Sequence, residues 1–219
     1  MHNKVYLKLT RERFLLITKS LGSAFRAPFF IFYLIMPIIL ILFWRYSYND
    51  PYITFRTYFN QIAFLLIPFF SVWWSLLSLR ERTEGDGREL LFVLKIRPGY
   101  IDATILFVFA VLAIFVFYFV AHLIFGRFLL EFIRILLICV FFFGLMVILT
   151  QLTGSITITM LVLLIYSLVS IVMNYQRFPF YGQHQELHQL GELFPYLRFL
   201  FAGLFLAIMR RFLPNRLSN

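Results

Sequence analysis

Six apolar runs, separated by more polar stretches, divide the chain. A helix needs about 20 apolar residues to cross the hydrocarbon core of a bilayer, so runs of this kind predict membrane-spanning helices. In chain order the runs are Pro28 to Trp44, Ile62 to Leu79, Ala103 to Phe125, Ile133 to Leu149, Ile156 to Met173 and Tyr196 to Met209. We therefore predict an all-α integral membrane protein with six transmembrane helices, in which residues 1–219 form one domain.

The arm that precedes the first run, residues 1–27, has a basic face and an apolar face when placed on a helix. The basic face carries Lys4, Lys8, Arg11 and Lys19, and the apolar face carries Tyr6, Phe14, Ile17 and Leu21. This pattern predicts an interfacial helix that lies flat on the inner leaflet. Arg13 interrupts the apolar face, so the alternative is a basic flank that only fixes the topology.

The stretch between the second and third runs, residues 80–102, is unusually long and charged; we call it the charged connection. Asp86 is placed to cap a helix, and Glu89 is placed to reach back to a free backbone N–H. Apolar residues follow on one face, and the Pro98-Gly99 pair ends the pattern. A tight hairpin needs only a few residues. We therefore predict a short amphipathic helix at the membrane surface, with a function of its own.

Charge sets the orientation and the class of partner. The chain is 62% hydrophobic and 14% charged, with a net charge of +10. The Lys and Arg residues flank apolar runs, which favours anionic lipid headgroups over nucleic acid as the partner. Fourteen of them lie on the side of the N-terminal arm, the charged connection and the C-terminal tail; six lie on the other side, including Arg127 and Arg134 in the third connection. Both termini are therefore expected in the cytoplasm.

Few polar groups fall within the runs. Gln61, His122, Thr150 and Gln151 lie at span ends, and no acid or base is expected near the centre of a span, which argues against a proton-coupled transporter. Pro37 and Pro68 lie inside the first two spans and are expected to bend them. The lone cysteine, Cys139, is interpreted as a packing residue.

In the charged connection the sequence resembles the permease subunits of type-2 ATP-binding cassette (ABC) transporters. That family carries the pattern E-x-x-x-G-x-x-E-L-L after its second span, followed by a turn with proline. Here E-R-T-E-G-D-G-R-E-L-L supplies Glu81, Gly85, Glu89, Leu90 and Leu91, with one extra residue before Glu89 unless Gly87 is the equivalent glycine. The resemblance implies a flat N-terminal helix, six spans, a cytoplasmic coupling helix and an external re-entrant segment before the last span, here residues 174–195.

The resemblance also implies partners and roles. ATP and Mg²⁺ would be held by a separate ATPase subunit, because no G-x-x-x-x-G-K-[ST] motif occurs in this chain. No enzymatic activity and no directly bound cofactor are expected here. A second permease copy, identical or homologous, would complete the transporter in a bacterial plasma membrane. The aromatic content favours a hydrophobic or amphipathic cargo, such as a peptide, a drug-like molecule or a lipid-linked molecule. The residues expected to contact the ATPase are Glu81, Glu84, Asp86, Arg88, Glu89, Leu90 and Leu91.

Two alternatives stay open. His184, His188 and Glu192 have i, i+4, i+8 spacing, which a metal-dependent intramembrane hydrolase could use, although HQELH matches neither H-E-x-x-H nor H-x-x-E-H. A polar helix face explains the same residues without a metal, and the two histidines could also sense pH. The other alternative is a membrane anchor or assembly factor that transports nothing.

Overall fold

The computed structural model describes residues 22–47, 55–83, 100–173, 180–181, 187 and 189–212. Every regular element within these ranges is helical, and no strand occurs in them. The elements are a 3-10 turn (Gly22–Phe25), α1 (Ala27–Phe30), a π-helical segment (Ile31–Ile35), α2 (Met36–Ser47), α3 (Phe55–Ser71), α4 (Trp73–Thr83), α5 (Tyr100–Phe125), α6 (Phe128–Thr153), α7 (Ile156–Val172), a 3-10 helix (Leu190–Tyr196), α8 (Leu197–Met209) and a final 3-10 turn (Arg210–Phe212).

Several helical stretches have the length and composition of membrane spans. Five in the described ranges qualify fully: Ala27–Arg45, Tyr58–Arg80, Tyr100–Phe125, Phe128–Thr153 and Leu190–Met209. The remaining apolar helix, α7, has 17 residues and so measures about 25 Å, a little short of a 30 Å hydrocarbon core. The expected all-helical, multi-pass membrane character is confirmed. The number of crossings and the side on which the termini lie stay predictions.

The fourth span begins earlier than its apolar run indicated. Gly126 (φ 69°) and Arg127 (φ 57°) both adopt the left-handed conformation, which reverses the chain in two residues after α5. Helix α6 can therefore start at Phe128 rather than near Ile133. The placement of Arg134 in a connection between spans was wrong, because this residue lies in the second turn of α6.

Irregular backbone accompanies both prolines inside spans. The π-helical segment Ile31–Ile35 ends two residues before Pro37. Pro68 lies one turn before an interruption at Val72, where α3 gives way to α4. Proline has no N–H for the carbonyl four residues earlier, and its ring crowds that turn, so a break near Pro68 is expected.

Helix α6 lies at the centre of the bundle and contacts α3, α5, α7 and α8. Its closest neighbour is α8, at Gly144 and Gly203. A β-carbon built on Gly144 would overlap the backbone of Gly203, and one built on Gly203 would overlap the backbone at Val140 and Phe141. Small residues of this kind let membrane helices pack backbone against backbone.

Candidate functional site

Most residues of the predicted coupling site lie outside the described ranges: Glu84, Asp86, Arg88, Glu89, Leu90 and Leu91. Glu81 is in the last turns of α4. The basic-face and apolar-face residues of the N-terminal arm also lie outside those ranges, Lys4, Lys8, Arg11, Phe14 and Lys19 among them. His184 and His188 are likewise outside, while Glu192 is exposed on the 3-10 helix before α8. The structure therefore describes the helix ends that flank the predicted coupling site. It also describes a second polar site inside the bundle.

The two helices that carry the charged connection are packed against each other where they approach it. Ser75 on α4 is fully buried, and its hydroxyl donates to the Ala103 carbonyl on α5 at 2.7 Å. Ala103 is also buried, as is Leu79, one turn after Ser75 on α4. A hydrogen bond between a side chain and backbone fixes the relative position of the two helices more specifically than apolar packing alone. The charged connection thus joins two helix ends that are fixed to each other.

The start of the first span is attached to the same place. Trp74 is fully buried, and its indole N–H donates to the Phe25 carbonyl at 2.9 Å. Its ring lies 5.2 Å from Phe25, 5.0 Å from Phe29 and 5.2 Å from Phe109, measured between ring centroids. Aromatic groups at such distances add to the stabilisation from burial alone. The first, second and third spans therefore meet in one aromatic cluster: Phe25, Phe29, Trp74 and Phe109.

The last span reaches this end of the bundle too. The Arg210 guanidinium stacks on the Tyr100 ring at the first residue of α5. The Gln151 amide, near the end of α6, lies 3.4 Å from the Arg210 carbonyl oxygen. Arginine can bind an aromatic face through its charge while its flat group packs on the ring. We call this end of the bundle, which holds Tyr100 and the flanks of the charged connection, the Tyr100 end.

Arg56 connects helices at the opposite end of the bundle, where α5 ends. It donates to the Phe125 carbonyl at 2.8 Å and to the Gly126 carbonyl at 3.2 Å, at the C-terminus of α5. Its guanidinium also lies 5.5 Å from the centroid of the Phe128 ring. The last carbonyls of a helix have no partners within the helix, and a cation there also interacts favourably with the helix dipole. Arg56 therefore ties α3 to the turn between α5 and α6.

An ion pair is buried on α6, and sequence reasoning missed it. Glu131 and Arg134 are 3% and 2% exposed, and the Arg134 Nη2 atom donates to Glu131 Oε2. The other carboxylate oxygen of Glu131 accepts a hydrogen bond from the Leu187 N–H at 3.0 Å. The pair begins in the first turn of α6, and Arg134 lies about 9 Å along the helix. Burying two charges is costly unless they are paired and further hydrogen-bonded, as they are here.

The ion pair is enclosed by aromatic rings. The Arg134 guanidinium lies 4.5 Å from the centroid of the Phe64 ring on α3 and 5.5 Å from that of Tyr196 before α8. Away from water, a cation over an aromatic face contributes on the order of 2 kcal/mol. The signal in the sequence was the i, i+3 spacing of an acid and a base in an otherwise apolar stretch, which places both on one helix face.

A second polar group lies beside the pair, at the proline break. Pro68 has no N–H to donate to the Phe64 carbonyl oxygen, and the Tyr181 hydroxyl lies 3.3 Å from that oxygen. The same hydroxyl lies 3.0 Å from Ser167 Oγ on α7. Ser167 in turn donates to the Leu65 carbonyl at 3.1 Å. Tyr181, in the segment before the last span, thus provides a hydroxyl group close to the backbone carbonyl groups at the Pro68 break.

Tyr181 is fixed as a hydrogen-bond donor by its surroundings. Its side chain is fully buried, and its ring lies about 6 Å from those of Phe142, Tyr166 and Phe199. Burial raises the pKa of the Tyr181 phenol well above its ordinary value, although the hydrogen bond with Ser167 opposes this. Because burial disfavours the charged form, the phenol keeps its proton throughout the physiological pH range.

No protein-family model, no curated protein and no solved structure matches this sequence. Within the described ranges no group of three or more His, Cys, Asp or Glu side chains is placed to hold a metal ion. The described ranges contain the packed helix ends that flank the charged connection at the Tyr100 end, and a buried polar network around the break in the second span.

Proposed function

We propose that this chain is the transmembrane permease subunit of an ABC exporter in a bacterial plasma membrane. It moves a hydrophobic or amphipathic molecule, such as a peptide, a drug-like compound or a lipid-linked molecule. A separate subunit binds ATP and Mg²⁺ and hydrolyses the ATP. The charged connection (residues 80–102) is the contact with that subunit, and Glu81, Glu84, Asp86, Arg88, Glu89, Leu90 and Leu91 provide its surface.

The observation that supports this proposal most is the way α4 and α5 are held where the charged connection leaves them. The Ser75 hydroxyl joins the two helices through the Ala103 carbonyl. Trp74 joins α4 to the start of the first span through Phe25. A force applied to the connection therefore acts on three spans together rather than on one flexible loop. Rigid-body movement of packed helices is a common way to pass a local event to a distant site.

The charge distribution supports a cytoplasmic partner. Basic residues are concentrated in the N-terminal arm, in the charged connection and after α8, as expected for the cytoplasmic side. On the predicted interfacial helix, Lys4, Lys8, Arg11 and Lys19 would bind anionic lipid headgroups and Phe14 would enter the membrane.

A second permease copy completes the proposed transporter. The helices expose many large apolar side chains, with runs of them on α2, α5 and α7. In a membrane such surfaces are covered by lipid or by another helical protein. The path for the cargo would then form between two copies, and ATP-driven approach of two ATPase subunits would move the copies relative to each other.

Charge reversal in the charged connection tests the proposal. Glu89→Lys is expected to weaken co-purification of the ATPase at least tenfold, because it turns an attractive contact at the docking helix into a repulsive one. Glu192→Lys is the matched control, since Glu192 is exposed on the 3-10 helix before α8. If both variants retain the ATPase equally well, the assignment of the docking surface is wrong. If zinc co-purifies instead of an ATPase, the metal-dependent hydrolase is favoured.

A further inference from the structure

The second span has a weak point at a described position. Pro68 is buried in α3, and the helix is interrupted four residues later at Val72. The Ser71 hydroxyl donates back to the Pro68 carbonyl at 2.7 Å. A proline inside a helix removes one backbone hydrogen bond and allows the two halves to bend relative to each other. The bend angle at Pro68 therefore depends on which other donor binds the carbonyl group four residues earlier.

The donor that binds this carbonyl group comes from a distant part of the chain. The Phe64 carbonyl lies four residues before Pro68, and the Tyr181 hydroxyl lies 3.3 Å from it. Ser167 donates to the next carbonyl, that of Leu65, and its oxygen accepts from Tyr181 at 3.0 Å. One phenolic proton is therefore shared between a side chain on α7 and the backbone of α3. A buried carbonyl that loses its donor raises the free energy of that state substantially.

A second contact fixes the segment that carries Tyr181. The backbone N–H of Leu187 donates to Glu131 at 3.0 Å, and the Leu187 side chain is buried. The partner of that carboxylate, Arg134, stacks on Phe64, whose carbonyl faces Tyr181. The two contacts therefore converge on the same residue of the second span.

We propose that Tyr181 is a latch on a hinge at Pro68. While its hydroxyl is bonded to Phe64 and Ser167, α3 and α4 are held in the arrangement described here. When Tyr181 withdraws, the Phe64 carbonyl loses its donor, α3 and α4 bend at Pro68, and the interior beside the hinge opens. Glu131 positions the latch by holding Leu187. This device belongs to a single chain and is independent of whether an ATPase binds it.

The chain contains its own reporter for this opening. Cys139 is the one cysteine in the sequence and is 1% exposed. Its thiol lies beside the Ser71 hydroxyl, which is bonded to the Pro68 carbonyl. A thiol buried against the hinge reacts with a small reagent only while the hinge is open. The rate of its modification therefore measures how often the latch is released.

The experiment compares the rate at which N-ethylmaleimide modifies Cys139 in the full-length protein in lipid nanodiscs, followed by intact-protein mass spectrometry. Tyr181→Phe removes only the hydroxyl and keeps the ring in its aromatic surroundings. We expect modification to be about five to ten times faster, the change that the loss of one buried hydrogen bond produces in an opening equilibrium. Ser167→Ala is expected to act in the same direction, because it removes the other partner of the phenol.

Tyr33→Phe is the matched control. The Tyr33 hydroxyl donates to the Ala113 carbonyl at 2.9 Å, between the first and third spans and away from the latch. This variant also loses one bond from a phenol to a backbone carbonyl, and Cys139 should react at the wild-type rate. If Tyr181→Phe leaves the rate unchanged, Tyr181 is not a latch. If Tyr33→Phe accelerates the reaction equally, the effect is a general loosening of the bundle and the proposal is overturned.

Discussion

Gly144 on α6 and Gly203 on α8 face each other so closely that neither position has room for a β-carbon. An added methyl group at either residue would meet backbone atoms of the other helix rather than the flexible end of a side chain. The two helices would have to move apart, and the packing around them would be lost along with this contact. The close packing of the last span against α6 thus requires glycine at both positions.

Gly144→Ala should therefore lower the free energy of unfolding by about 2 kcal/mol, within the usual range for overpacked cores. Gly191→Ala is the control, because a β-carbon at Gly191 would meet no atom within 4 Å. Chemical denaturation in detergent, followed by tryptophan fluorescence, measures the difference. Equal stability of the two variants would show that α6 and α8 do not pack as described.

The buried pair Glu131–Arg134 gives a second prediction. Glu131→Gln leaves the Arg134 charge buried without its counter-ion, and breaking such a pair from one side costs about 3 kcal/mol or more. Adding Arg134→Met to that variant removes the uncompensated charge and should recover part of the lost stability. The same denaturation measurement tests both variants. A double variant that is less stable than the single one would contradict the idea that the isolated charge causes the loss.

Glu192→Gln provides the exposed comparison for Glu131→Gln. Glu192 lies on the surface of the 3-10 helix before α8, where solvent screens its charge, so losing that charge is expected to cost at most about 1 kcal/mol, well below the cost at Glu131. The difference between the two variants then reports the burial of Glu131 rather than the chemistry of the substitution.

The cap that Arg56 provides at the end of α5 gives a third prediction. Arg56→Met removes donors to the Phe125 and Gly126 carbonyls while keeping an unbranched apolar side chain. Hydrogen exchange at the last turn of α5 should become faster, and stability should fall by about 1–2 kcal/mol. Arg45→Met is the comparison, since Arg45 is exposed at the end of the first span. Unchanged exchange in the Arg56 variant would show that the cap contributes nothing.

The N-terminal arm gives a fourth prediction, made in a background in which Cys139 is replaced by alanine. Single cysteines at Lys4 and Lys8 should react with a membrane-impermeant maleimide from the cytoplasmic side. Cysteines at Tyr6 and Ile17 should be protected, because the apolar face of an interfacial helix is buried in the membrane. Equal labelling at all four positions would contradict a flat helix.

The sequence predicted the helices well because the length of an apolar run is a local property. It missed the start of α6, since Gly126 and Arg127 adopt a tight left-handed turn that lets polar residues enter the helix. Pro68 indicated a break in the second span. Nothing nearby in the sequence identified Tyr181 as the donor to the Phe64 carbonyl, because the two residues are more than a hundred positions apart. The contact between Gly144 and Gly203 was equally invisible, because it depends on how two distant helices cross.

The proposed function requires that the charged connection of this chain bind an ATPase. The most direct measurement is affinity purification of the tagged chain from its native host in mild detergent, with mass spectrometry and an ATP hydrolysis assay on the purified assembly. We expect one P-loop ATPase subunit per copy of this chain, with ATP hydrolysis by the assembly. Purification of the folded chain with no ATPase, or with a partner that does not hydrolyse ATP, would contradict it.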